Sequence, residues 1–267
     1  LTMYYPADGS AGTESTKTFS NVQLRAKEGM VIVKASRAIT QDAAINVADD
    51  AARDIARCAA KQEDNSLFNS NGSGATNGYI PQTSGILFQI GAGGASASTP
   101  FVQTSETSTN SRVYDSASST GALGVTLSEV VALMSLPGAF VGRMMAFHCT
   151  QQIGAAIFLR LAASVGGIVP REIQGLGMVQ TFLGAPIIYN NVMTTAIGNQ
   201  ASRQLVVYGD ISLAADFGDR VGLSVEISEQ RYWDENNIGI KGTVRHDVNV
   251  HALGGTTTAG PLAVLIN

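Results

Sequence analysis

The chain has 267 residues, a net charge of -4 and only 14% charged residues beside 45% hydrophobic ones, where about 25% charged is typical. That length buries a sizeable core without disulfides or metals, and the apolar content excludes disorder through charge. The 17 Lys and Arg are outnumbered by 21 Asp and Glu and never cluster, which excludes dedicated sequence-specific nucleic-acid binding. So low a charge points instead to a surface partly covered by something else.

Residues 1–18 are polar and Gly/Thr-rich and suit an extended arm or loop. The leading stretch lacks the basic and apolar regions of a signal peptide, and a start at Leu1 reads as a processed product or the visible part of a longer chain. Residues 19–36 alternate: Val22, Leu24 and Ala26 take one face, Gln23, Arg25 and Lys27 the other. A kink is expected at Glu28-Gly29, before a second strand from Met30.

Residues 41–69 switch to helical period, with Ile45, Ala48, Ala52, Ile55, Ala59 and Gln62 as a thin apolar stripe. Thr40 is the expected N-cap and Asn71-Gly72-Ser-Gly74 the stop. A helix of that length is a rod of about 42 Å.

Residues 91–124 are rich in Ser, Thr and Gly and almost uncharged, which reads as a long connection. Order resumes at a capping box, Thr126-Leu-Ser-Glu129, and a second helix is expected over 150–165, ending at Gly166-Gly167. The apolar stretches 130–147 and 153–170 are interrupted by Pro137-Gly138, Arg143 and Arg160, so neither is a membrane span. From 178 onward short strands dominate: Met178–Phe182, Ile187–Tyr189, Leu205–Tyr208, Val221–Ile227, Ile238–His251 and Pro261–Ile266. Within 238–251, Ile238, Ile240, Val244, Val248 and Val250 share a face opposite Lys241, Thr243, Arg245, Asp247 and Asn249. Helices and strands mix without βαβ alternation, so the class is α+β.

Chemistry is nearly absent. Gly91-Ala-Gly-Gly94 lacks the Lys and the strand-to-helix setting of a phosphate cradle, and no GxSxG elbow occurs. His148 and Cys149 are sequence neighbours whose side chains project apart, not a proton-sharing dyad. His246 and His251 fall on opposite faces of one strand, His246 on the apolar one. Asp49-Asp50 and Asp234-Glu235 read as solvated charges, and Cys58 and Cys149 as small buried hydrophobes. Trp233, beside Tyr232, suits either an interface anchor or the core. No catalytic, cofactor-binding or metal-binding residue is expected, and the chain does not read as an enzyme.

The order of features is similar to the major capsid proteins of tailed bacteriophages, with their Hong Kong 97-type shell fold. The resemblance rests on Thr18-Phe-Ser-Asn-Val-Gln-Leu-Arg-Ala-Lys27 with Val31–Ser36, on Glu63–Gly74 with its Leu67-Phe-Asn-Ser run, and on Gly85-Ile-Leu. Phe182-Leu-Gly-Ala-Pro-Ile187, Tyr208-Gly-Asp210 and Gly222–Ser228 follow in the family's order. It implies an extended loop with leading strands over 1–35 and a peripheral domain with a spine helix over 36–85. A connection or insertion would occupy 86–124, an axial domain 125–227, and peripheral return strands 228–267.

By that resemblance the function is self-assembly into an icosahedral shell of pentamers and hexamers around double-stranded DNA, held without sequence-specific contacts. Its setting is the virion capsid, assembled in the host cytoplasm, with a portal, room for a decoration or cement protein, and no membrane. Some members crosslink a loop lysine to a peripheral asparagine with help from a glutamate. Here the matching positions hold Gly12 (before Thr13-Glu-Ser), Asn237 and Val244; Lys17 is the nearest substitute, and no autocatalytic crosslink is expected. An encapsulin-type nanocompartment shell shares the fold and stands as the alternative. A hydrolase or a secreted Ser/Thr-rich adhesin are remoter readings.

Overall fold

The computed structural model describes residues 21–38, 47–70, 85–91, 109–116, 118–138, 140, 144–165, 168–173, 177–199 and 203–267. The arm over 1–18, the Thr40 cap, the stops at Asn71–Gly74 and Gly166-Gly167, and Gly12 to Lys17 lie outside the described residues. In chain order come β1 (Lys27–Ser36), α1 (Val47–Phe68), α2 (Ile86–Gly91), β2 (Val113–Asp115), α3 (Leu127–Ser135) and β3 (Ala146–Cys149). A composite helix α4 follows, α-helical at Gln151–Gly154 and Arg160–Val165 around a π-helical turn at Ala155–Leu159. The rest is β4 (Ile168–Ile173), β5 (Gly177–Phe182), β6 (Ala185–Tyr189), β7 (Gln204–Gly209), β8 (Ala215–Ser228), β9 (Asn237–Val250) and β10 (Leu262–Ile266).

The strands make two sheets, β1-β9-β8 and β2-β10-β7-β3-β6-β5-β4. The larger is mixed: β2–β10 and β3–β6 are parallel, the other pairings antiparallel. Its central strands β10, β7 and β3 are buried at every position. Along β10, Ala263 and Leu265 join the cluster of Phe147, Ile153, Ile157, Phe158 and Phe182. Leu262, Val264 and Ile266 join the opposite one, with Phe68, Ile86, Leu87, Ile90 and Val113. A strand buried on both faces reads as a continuous apolar run, as Leu262–Ile266 does. Phe158 anchors the first cluster, its ring 4.8 Å from Phe147 and 5.2 Å from Phe182 in tilted packing.

Several of the sequence stretches quoted above are local structural solutions. Phe182 and Ala185 pair across a two-residue hairpin, whose loop residues Leu183 and Gly184 have φ of 49° and 86°, the left-handed pair such a turn requires. In Tyr208-Gly-Asp210, the buried Asp210 carboxylate accepts from the Ser212 N–H at 3.0 Å and the Met144 N–H at 3.2 Å. That ties the end of β7 to the approach to β3. Phe68, Asn69 and Ser70 at the end of α1 are buried. The Asn69 amide donates to the Val192 carbonyl at 2.6 Å and the Gly85 N–H to the Ser70 carbonyl at 2.7 Å. A Cβ on Gly85 would lie 2.7 Å from the Phe68 carbonyl carbon, so only glycine lets α2 dock there.

The smaller sheet carries α1 on one face. Ala51 and Ile55 pack on Val31, Val33 and Ile240, and Ile240, Val244, His246, Val248 and Val250 of β9 turn inward with the expected period of two. Acidic Asp49 and Asp50 in the first turn of α1 suit its macrodipole.

The structure departs from the sequence reading at four places. β1 runs unbroken through Glu28 and Gly29, because ladder pairing to Arg245 and Val244 carries it across the expected kink. Within the described part of α1, Ala51 lies in the buried stripe and Cys58 is exposed rather than buried. β3 and β4 were not anticipated. The stretch read as a connection contributes α2 and β2, whose Val113 is fully buried beside β10. Sheet membership joins distant parts of the chain: β10 lies between β2 and β7 in the larger sheet, and β8 pairs with β9 in the smaller.

Candidate functional surfaces

Among the described residues, His148, Cys149 and His246 are buried and His251 is paired. His148 is buried, its ring 6.1 Å from Phe68; burial pulls its pKa down to about 4 against the opposing pull of Asp210. Burial pushes the Cys149 thiol up to about 12, so the pair supplies neither base nor thiolate. His246 is 1% exposed and stacked on Phe217 at 5.6 Å; burial lowers its pKa, while Glu63, Asp219 and Asp247 pull the other way. His251 instead pairs with Asp216 at 3.3 Å. Among the described residues no three His, Cys, Asp or Glu side chains are placed to share a metal ion. No described helix is long and apolar enough to cross a membrane.

Asn237 begins β9 and donates to the Glu235 carboxylate at 3.3 Å. Glu235 is half exposed and ion-paired with Lys34, unlike the desolvated carboxylate that amide attack by a lysine needs. Val244 is buried where the resemblance would put a glutamate.

What stands out is exposed apolar surface. β8 is the last strand of its sheet, with no described strand on its far edge. Phe217, Val221, Leu223, Val225 and Ile227 along it are all exposed, Ile227 by 60%. Register puts Val225 beside Gly242 and Ile227 beside Ile240, on the face that α1 covers. Ile55 reaches Val31, Val33 and Ile240 of the first two strands, and β8 is left open. The alternation of apolar residues over 221–227 predicts a half-buried strand. Within one chain that burial is missing.

The β8–β9 turn ends in a second apolar feature. Trp233 is 80% exposed, which removes the core reading for this residue. Its backbone is nevertheless ordered: the Glu235 and Asn237 N–H groups donate to the Tyr232 carbonyl at 3.2 and 3.1 Å, and Asn236 N–H to the Trp233 carbonyl at 3.2 Å. Asn236 takes φ of 53° to close the turn. Lys34 of β1 binds Glu235 and lies over the Tyr232 ring, and Arg37 reaches Glu229 at 3.0 Å. A third patch joins exposed Leu123 and Ile197 beside Ala155 and Ala156 of the π-helical turn of α4, a distortion common at functional sites.

Large exposed apolar groups on three elements are the described surface most suited to contact with another protein. The model of the phage capsid family matches residues 2–136, half of the chain, and the chain belongs to that family, one of shell-forming structural proteins. Among solved structures, the capsid of an empty GTA particle computed with C5 symmetry is similar at a TM-score of 0.64 and 17% identity, over 97% of this chain and 80% of that one. A Mycobacterium phage Adephagia structure is similar at 0.54 and 14% identity, over 91% and 72%. The holo-SrpI encapsulin complex of Synechococcus elongatus is similar at 0.54 and 14%, over 90% and 73%. At such identities the likeness establishes the fold. No curated protein matches the chain.

Proposed function

We propose that the chain is the major capsid protein of a tailed phage, assembling as pentamers and hexamers into a closed shell around double-stranded DNA. The observation that carries this reading is the match to the phage capsid family over residues 2–136, joined to a fold that leaves β8 and Trp233 uncovered. The GTA capsid, computed with C5 symmetry, supports the pentameric part.

In this reading the seven-stranded sheet with α3 and α4 is the axial unit, gathered around the symmetry axes. The β1-β9-β8 sheet with α1 is the peripheral unit, and residues 1–26 belong to the extended loop. Net charge of -4 suits an interior that contains DNA without gripping it. Shell contacts hold the particle without isopeptide bonds, and denaturing gels of mature particles show single chains. The setting is the virion, with assembly in the host cytoplasm alongside a portal and a decoration protein.

The test is the size and content of purified particles. Megadalton closed shells containing DNA support the reading, and monomers at every concentration contradict it. The encapsulin likeness favours one second reading, a nanocompartment; shells that hold a cargo protein and no DNA would establish that instead.

A further inference from the structure

Trp233 is the only tryptophan of the chain and is 80% exposed at the tip of the β8–β9 hairpin. Large aromatic side chains bury heavily on folding or at interfaces, and an ordered turn loses little entropy when it docks. Arg231 precedes it, its guanidinium 5.5 Å from the Tyr232 ring and in no ion pair among the described residues. The tip therefore presents an indole and an unpaired cation on a preformed turn.

The opposite end of the same hairpin carries the complementary features. A cleft of about 280 Å³ opens there between the end of α1 and the start of β8. Leu67, Ala215 and Phe217 form its apolar part, and Glu63, Asp64 and Asp216 its acidic part. Asp216 is engaged by His251, but Glu63 and Asp64 have no cationic partner among the described residues. They also lie in the last turns of α1, where negative charge opposes the macrodipole and no basic residue offsets it. Partial burial raises the pKa of Asp64, a carboxyl lacking a cation.

Tip and cleft lie at opposite ends of a two-stranded ribbon, about 35 Å apart at strand rise. They cannot meet within one copy. A contact of one patch with a different patch on the next copy is heterologous and closes rings when the rotation closes.

We propose that the Arg231-Tyr232-Trp233 tip of one copy docks in the cleft between α1 and β8 of a neighbouring copy, with the indole on Leu67 and Phe217 and Arg231 facing Glu63 and Asp64. The proposal rests on the shell reading above and names one of its contacts.

Trp233 is its own reporter. In wild-type particles its emission moves to shorter wavelength than in free subunits, and acrylamide quenching falls several-fold. Trp233→Ala leaves subunit circular dichroism unchanged and raises the concentration needed for assembly by roughly 30-fold, the size of a hot-spot contact; Trp233→Phe restores most of the loss. Arg231→Glu weakens assembly, and pairing it with Glu63→Arg and Asp64→Arg, substitutions that suit a helix C-terminus, restores it. Particles whose Trp233 remains as quenchable as in subunits overturn the proposal and leave the shell reading standing. So does Trp233 burial that appears only when a second shell protein is added. Burial without rescue by the charge exchange overturns the assignment of the cleft. A wild-type chain that never forms particles overturns the shell reading and this proposal together.

Discussion

The two sheets of this chain solve the same physical problem differently. In the seven-stranded sheet the central strands β10, β7 and β3 are buried at every position by the chain's own helices and loops. The three-stranded sheet is covered by one helix and, near Gly218 and Asp247, by the segment around Leu24 and Arg25, and β8 keeps at least five large apolar side chains in water. A long apolar edge strand is a liability in an isolated protein. The difference teaches that the central strands of the first sheet are complete in one chain, whereas in the proposed shell neighbouring copies would complete the second. It also explains the low charge: surface destined for burial between copies costs less to desolvate when it carries few charges.

This contrast predicts a graded series of effects. The largest belongs to the closed core. Phe158→Ala removes a ring packed on Phe147 and Phe182 and lowers subunit stability by about 3–5 kcal/mol in denaturant unfolding.

Next comes pH. An unfolded histidine titrates near 6.5 and folded His148 near 4, so the native state resists protonation. Its contribution is intact above 6.5 and is lost as pH falls through 4, on the order of 3 kcal/mol in all. His148→Asn flattens that slope of stability against pH between 6.5 and 4. An unchanged slope would mean that His148 is hydrated in solution.

A smaller effect follows at α3. The Glu129 carboxylate accepts from the Thr126 N–H at 2.5 Å and from its hydroxyl at 2.8 Å, and Glu129→Ala lowers subunit stability by about 1 kcal/mol. The smallest effect on the subunit belongs to the open sheet. Ile227→Ser shifts subunit stability by under about 0.5 kcal/mol but lowers particle yield, measured by sedimentation. A large loss of subunit stability there would erase the contrast.

Sequence legibility followed locality. The long apolar alternation of β9, the spine helix and the Thr126–Glu129 capping box are properties of contiguous residues, and all three appear. β2 was hidden because its three residues are a strand only by pairing with Val264, Leu265 and Ile266, far along the chain. β3 has four residues, all buried, and so shows no period. Trp233 was open between core and interface because its side chain's exposure is set by how the hairpin tip stands off the sheet, which no local pattern encodes. The strand over 221–227 is legible in the sequence; that its apolar side chains stay exposed within one chain is set by tertiary packing and is not.

Hydrogen exchange compared between free subunits and assembled particles tests the division most directly. β3, β7 and β10 should exchange slowly in both states, while β8 and residues 229–236 should exchange quickly in subunits and slow markedly in particles. Equal protection of β8 in the two states would contradict the account.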